Sequence, residues 1–433
     1  MTQAPPTPNR DRISVSSKDS SAGGKARAAY VRVRRLVPAN SLTSALILGS
    51  TLLLVIVGLV IVLSASSVED FAAVDPDSRT TEDFFRTFGR QAIFAAVGVP
   101  LMFIAANMPV KFWRRIAWLA IMFGILLQAL VFTPLGFESG GNRNWLRFGS
   151  FSLQPSEFVK LALCVWLAFI MSIKKHSMTK FWHVWIPVAP VAGLALGLVM
   201  LGHDFGTVVI MAMLCFGALY FAGVRLWHLL LPIVVVCVAA VPIIQTSQSR
   251  IDRIQLFFNG CQPEDYFVSC WQQFHGLWAM SGGGIFGVGL GNSTAKWLWL
   301  AEANNDYIFA IIGEELGLVG ATAIILIFVT LGLALLRVIR STTDVFMRAA
   351  TGGILVWVVG QALVNIAVVL GLLPVLGVPL PLISAGGSQT IAVLIAIGVV
   401  LSFCKEIDAK KAEGISHKPV KMKSVPRRER MTE

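Results

Sequence analysis

The residue best placed to do chemistry is Asp306, which stands where a long polar segment gives way to a strongly apolar run. Its carboxylate has two readings. As a helix cap it would complement the positive end of the helix dipole. As a site residue at a membrane boundary it would accept a proton or hold a divalent cation, Mg or Mn. Glu314 and Glu315 follow in the same run. Eight residues of helix put Glu314 about 12 Å further along the axis and roughly 80° round from Asp306, so the two do not form an adjacent catalytic pair. Ion pairing with a neighbouring helix is the role expected of Glu314.

Candidate anion-binding groups accompany that acid. Arg143 and Arg147 could fork onto phosphate oxygens or snorkel to lipid headgroups, and Lys296 is a further cation in the polar segment. The glycine-rich stretch that includes Gly289 and Gly291 could bring backbone amides to a phosphate, or could simply supply turns that need positive φ. Glu157 and Lys160, three apart, share a helix face and form either an internal salt bridge or part of a binding site. His203 and Asp204 are adjacent and therefore face different ways on a helix, so Asp204 reads as polar lining or a cap. All these residues fall in four polar clusters, 141–160, 201–207, 281–320 and 371–390.

The elements that must hold them are membrane spans. Of 433 residues, 55% are hydrophobic and only 14% charged, whereas a soluble domain carries nearer a quarter of charged residues. Apolar runs long enough to cross a hydrocarbon core recur near 42–65, 88–107, 114–134, 157–173, 184–201, 205–223, 228–245, 306–336, 349–373 and 387–404. The expected fold is an all-α polytopic membrane protein of about ten transmembrane helices, spanning 42–404, between a basic disordered tail (1–41) and a second basic tail (405–433). Lys111, Arg114, Arg115, Lys174, Lys175, Lys180, Arg225, Arg337, Arg340 and Arg348 occupy alternate connections. The positive-inside rule then places both termini in the cytoplasm. The opposite connections, with acids such as Asp70 and Asp75 and the long segment 246–305 between helices 7 and 8, face outward. All four polar clusters border that outer face. The net charge of +12 sits in tails and short loops, which suits anionic headgroups and gives no support to nucleic-acid binding.

Six cysteines show neither CxxC nor Cys/His metal spacing. Cys261 and Cys270 lie together in the outward segment, in a compartment that permits disulfides, and are expected to bond to each other. That closure would stabilise the loop by about 2 to 3 kcal/mol in the chain-entropy model.

The stretch GVGLGNSTAKWLWLAEANNDYIFAIIGEELGLVG, with GNRNW, SLQPSEFVKLAL, DFGT and GLLPVLGVPLPLISAGGS, resembles the SEDS family (shape, elongation, division and sporulation). The likeness runs in the family's order from about 43 to 404. It implies a peptidoglycan glycosyltransferase that polymerises lipid II at the outer face of the cytoplasmic membrane, working with a class B penicillin-binding protein. It also implies that Asp306 matches the family's essential aspartate and that Trp145, Ser384, Gly386 and Gly387 belong to motifs bordering the substrate. The usual His-Thr pair before that aspartate is replaced here by Asn304 and Asn305. His203, Asn144 and Ala385 depart from the usual proline, arginine and aromatic, and Arg143 is the candidate to replace the missing arginine. The basic tails suit a member that recruits other divisome proteins to the division septum. Two rival readings are a flippase for lipid II, which would need polar residues through the depth of the bundle, and a non-catalytic scaffold that activates a partner synthase.

Overall fold

The computed structural model describes residues 41–72, 84–149, 151–245, 248–260, 266, 270–297 and 299–414. Both tails, including the expected disordered tail, lie largely outside these. Ten helical segments coincide with the ten apolar runs. They are α1 (Leu42–Ala72), α2 (Arg86–Asn107), α3 (Val110–Leu130), α4 (Pro155–Ile173), α5 (Phe181–Leu201), α6 (Phe205–Ala222) and α7 (Leu226–Gln245). After two short helices, α8 (Gln248–Asn259) and α9 (Trp271–Gly282), come α10 (Ile308–Ser341), the pair α11 (Val345–Leu355) and α12 (Gln361–Val369), and α13 (Gly387–Ala412). A turn of π-helix at Val356–Gly360 joins α11 to α12, so the two make one continuous span. Eight of the spans are long and apolar enough by composition to cross a membrane. The other two are α3, which opens with Lys111, Arg114 and Arg115, and α7, whose apolar part is Leu226–Val238.

Local sequence sets the helix ends. Pro155 opens α4, where a missing amide hydrogen costs nothing. Asp204 and Asp344 cap α6 and α11 by accepting from the Thr207 and Phe346 amides. Gly223 closes α6 in the left-handed conformation, φ 104°. The centre of the bundle is α4 and α13, most of whose residues are buried, with α13 packed on α2, α1, α4 and α11. Leu119, Phe123 and Leu126 of α3, Ile186 and Leu194 of α5 and Leu326 and Leu333 of α10 are exposed at the periphery. A bilayer would cover such a belt.

Two features differ from the sequence expectation. The chain is not wholly helical: β1 (Gly136–Ser139), β2 (Asn142–Phe148) and β3 (Phe151–Leu153) form a small antiparallel sheet in the order 1-2-3. The turn between β1 and β2 is Gly140-Gly141, both with positive φ (59° and 78°), a geometry that fits the twist of a two-residue hairpin. The segment 246–305 is also no structureless loop, since it contains α8 and α9.

The helices have two distinct ends. The starts of α4, α6, α10 and α13 converge with the sheet on one polar cavity. The opposite ends of α4, α10 and α13, with the starts of α3 and α11, carry Arg114, Lys175, Lys410 and Lys411.

Candidate active site

A cavity of about 340 Å³ lies at the sheet end of the bundle, and residues from all four polar clusters line it. Asn144, Trp145, Gln154, Glu157 and Lys160 come from the first, Asp204 and Thr207 from the second, Glu302, Asn305 and Asp306 from the third, and Gly377, Ala385, Gly386 and Gln389 from the fourth.

Asp306 sits in the turn just before α10, outside the span itself. Its backbone is held firmly. Asn365 of α12 donates to the Asp306 carbonyl (2.7 Å) and to the Val378 carbonyl (2.8 Å), tying the turn to the 371–386 loop. Ser384 Oγ donates to the Asn305 carbonyl (2.6 Å), and the Ala385 amide donates to the Asn304 carbonyl (3.0 Å). The two asparagines that replace His-Thr are thus docked through their backbones. The carboxylate, by contrast, is not used for capping. Its Oδ1 is buried with no hydrogen-bond partner among the described residues. Gly377, at φ 67°, passes close by: a Cβ there would stand 3.4 Å from Asp306 Oδ2. Burial pushes the Asp306 carboxyl up to about 7; the Glu302 charge adds to the rise, Arg253 opposes it, and Asp204 adds a smaller upward contribution. A carboxylate poised near neutrality, on a residue that lines the cavity, is equipped to take a proton.

Asp204 has a different role. Its oxygens accept from the Thr207 amide (3.0 Å), Asn144 Nδ2 (2.6 Å) and Gln154 Nε2 (3.2 Å), so it is both cap and organiser of the cavity wall. Glu157 and Lys160 form the internal salt bridge, 2.7 Å, almost fully buried. Lys160 also donates to Gln361 Oε1 (3.2 Å) and lies 5.2 Å from the Trp357 ring centre. The π-turn ends at Gln361, whose Nε2 holds the Pro379 carbonyl (2.8 Å).

Other sequence candidates lie elsewhere. Arg143 turns its guanidinium onto the Val131 and Thr133 carbonyls just past α3 (3.1 Å each), so it does not stand in for an arginine at position 144. Arg147 stacks over Phe137, 4.4 Å from the ring centre, and lines a second cavity of about 470 Å³ with Arg90 and Trp145. Trp145 is common to this cavity and the Asp306 cavity, and Gly387 lines a smaller recess beside both. Lys296 is buried away from them. It pairs with Glu315 (3.5 Å) and donates to the Gly291 carbonyl (2.6 Å), so its charge is already satisfied. Glu314 accepts from Ser293 Oγ (2.5 Å) and from the Thr294 amide (2.8 Å) and hydroxyl (2.7 Å), in place of the neighbouring-helix ion pair expected. Gly289 and its neighbours serve this packing. The Val288 and Gly289 amides donate to the Glu314 and Glu315 carbonyls where α10 breaks at Gly317. Ser384 acts through the backbone as described, and Gly386 lines the main cavity. Cys270 is disulfide-bonded, and its expected partner Cys261 lies outside the described residues.

Sequence reasoning missed Arg253, which lines both the Asp306 cavity and a third one of about 680 Å³ that also holds Arg250. The signal was there, since Arg250 and Arg253 are three apart in an outward segment. It also missed Gln361 and Asn365, although polar side chains within an apolar run are themselves a signal. Among the described residues no three His, Cys, Asp or Glu side chains gather as a metal cluster. A single carboxylate with an unpaired oxygen does fit Mg²⁺, which usually takes one or two carboxylates together with substrate phosphates.

Residues 44–408 match the family model described as cell cycle protein, whose members include FtsW, RodA and stage V sporulation protein E. The chain is 38% identical over 357 residues to a probable peptidoglycan glycosyltransferase FtsW of Mycobacterium tuberculosis, covering 82% of this chain and 66% of that one. The chain therefore spans just under two thirds of the mycobacterial relative's length. It is 36% identical to stage V sporulation protein E of Bacillus subtilis over 81% of this chain and 94% of that one. In fold it resembles a chain of a peptidoglycan synthase complex that coordinates polymerization and crosslinking (TM-score 0.66, 22% identity, 83% and 97% covered). It also resembles the rod shape determining protein RodA of Thermus thermophilus (TM-score 0.58, 23% identity, 83% and 96% covered).

Proposed function

Because the chain belongs to the cell cycle protein family of FtsW, RodA and stage V sporulation protein E, the SEDS family its motifs resemble, we propose that it is a peptidoglycan glycosyltransferase. It is a multi-pass membrane protein that polymerises lipid II at the outer face of the cytoplasmic membrane. The observation that carries the reading is the free, near-neutral carboxylate of Asp306 in the cavity where all four polar clusters meet.

Lipid II presents a polyprenyl tail, a diphosphate and a disaccharide-peptide. Its polymerase needs a wet basic mouth beside a lipid-facing wall. Here Arg90 and Arg147 line a cavity on one side of the central one, and Arg250 and Arg253 line one on the other. Two diphosphates therefore have separate cationic neighbourhoods. The 4-hydroxyl of the acceptor's N-acetylglucosamine attacks the anomeric carbon of the donor's N-acetylmuramic acid. The new C–O bond forms as the bond from that carbon to the diphosphate breaks, and polyprenyl diphosphate leaves with the electron pair. Asp306 takes the hydroxyl proton. With one carboxylate positioned for the work, the two-carboxylate scheme of glycosidases does not apply. In the alternative role, Asp306 would hold a divalent cation instead of taking the proton, and the cation would neutralise charge on the leaving diphosphate. Asn365 and Ser384 fix the turn that carries Asp306, Gly377 leaves room beside its carboxylate, and Asp204 shapes the cavity wall through Asn144 and Gln154.

The positive-inside rule supports an orientation with the basic far end in the cytoplasm and the cavity outside. A class B penicillin-binding protein as partner is part of the same proposal, in keeping with the likeness to a chain of a complex that coordinates polymerization and crosslinking; the septal location and contact of the tails with other divisome proteins are further parts of it. The test is to supply labelled lipid II to the purified chain with a class B partner whose transpeptidase is blocked. Glycan strands support the reading. No strands, but labelled lipid II carried across a vesicle membrane, replaces it with the flippase; neither activity leaves the scaffold.

A further inference from the structure

At the end of the bundle opposite Asp306 a further polar cavity, about 410 Å³, opens between α3, α4, α10, α11 and α13. Four cations line it, Arg114, Lys175, Lys410 and Lys411, against one acid, Asp344. That acid is committed twice. It pairs with Arg114 and accepts from the Phe346 amide as the cap of α11. Arg114 is held in place by this pair and by the Phe346 ring, 5.1 Å from the guanidinium carbon, while its Nε is buried without a partner among the described residues. Lys410 has a half-exposed partner in Glu406 at 3.1 Å. Among the described residues neither Lys175 nor Lys411 has a carboxylate partner. Ser172, Ser341 and Thr343 add hydroxyl-bearing side chains to the wall.

A cavity with this surplus of positive charge and donors on several helices, at the ends of membrane-spanning runs, suits an anion that arrives from the membrane. We propose that it holds the phosphate headgroup of an anionic phospholipid of the cytoplasmic leaflet, with the acyl chains lying along the bundle's apolar flank. Free phosphate shares the same charge chemistry, but the lipid is favoured because α3, α4 and α13 carry the cations at the ends of membrane-spanning runs, at headgroup depth. Which leaflet supplies the lipid rests on the orientation proposed above; the site itself does not depend on glycosyltransferase activity. Bound there, a lipid would bridge five helices, of which α4, α10 and α13 reach the Asp306 cavity at their other ends.

The experiment is lipid binding by the full chain in nanodiscs or neutral detergent, comparing phosphatidylglycerol, phosphatidylcholine and inorganic phosphate by native mass spectrometry and by thermal stability. Wild type is expected to retain phosphatidylglycerol selectively, and inorganic phosphate to compete only at far higher concentration. Each lysine removed should weaken binding about fivefold, so Lys175→Ala/Lys410→Ala/Lys411→Ala should lose about 100-fold. The charge-conserving triple Lys→Arg variant should bind. A control triple outside the cavity, Lys111→Ala/Arg115→Ala/Arg348→Ala, should change binding no more than about threefold. Equal losses in the alanine and control triples would overturn the proposal by showing only diffuse surface charge. So would equal retention of phosphatidylcholine, or phosphate binding as tight as the lipid. Failure of any of these leaves lipid II polymerisation untouched as a separate readout.

Discussion

The protonation of Asp306 gives a quantitative handle on its role. With the carboxyl pushed up to about 7 by burial and by Glu302, the base is the deprotonated form, so activity must rise with pH through that value. At pH 6 about a tenth of the molecules carry the base and at pH 8 about nine tenths, a rise of roughly tenfold. An exposed carboxylate with an ordinary value near 4 would be fully ionised over that range and give a flat profile. The neighbours move the midpoint in opposite directions. Glu302→Gln removes a repelling negative charge and lowers it; Arg253→Gln removes an attracting positive charge and raises it. The assay is the initial rate of strand formation from labelled lipid II at substrate well below KM, where the profile reports the free enzyme, from pH 5.5 to 8.5 at constant ionic strength. A profile that is flat, or that falls as pH rises, would refute the reasoning. So would Glu302→Gln and Arg253→Gln shifting the midpoint the same way.

Two further predictions concern what holds the site. Lys160→Met leaves the buried Glu157 carboxylate without its 2.7 Å partner and should cost about 3 to 5 kcal/mol, whereas the double variant Glu157→Gln/Lys160→Met should recover most of that loss, as read by thermal unfolding in detergent. Gly317 breaks α10 at φ 66°, ψ −166°, and a Cβ there would stand 2.3 Å from the Gly287 nitrogen, so Gly317→Ala should give little folded protein by size-exclusion yield while Gly193→Ala, with open space around it, is tolerated.

The spans were legible because a bilayer demands long apolar runs, and every expected run is helical. The small sheet was missed although Gly140-Gly141 is a hairpin signal, because its strands are short and mix charged with aromatic residues. The place of Asp306 at the start of an apolar helix was legible in the sequence, though its boundary position alone left cap and site open, and the meeting of the four clusters followed from the alternation of loops. Long-range pairing was not. Lys296 reads as a free cation in sequence, and only the fold brings it to Glu315. Arg143 likewise reads as an anion ligand until the sheet turns it onto the carbonyls just past α3. Arg253 had a sequence signal in its spacing from Arg250, but its link to the Asp306 cavity comes from the position of α8.

The most direct test of Asp306 as the catalytic base is strand formation from labelled lipid II by Asp306→Asn, assayed with the partner and at the same folded yield as wild type. Asparagine keeps the shape and, since the turn is held through backbone groups and Ser384, should keep the fold. Polymer from wild type and none above background from Asp306→Asn is the expected result; equal polymer from both would remove Asp306 from the chemistry.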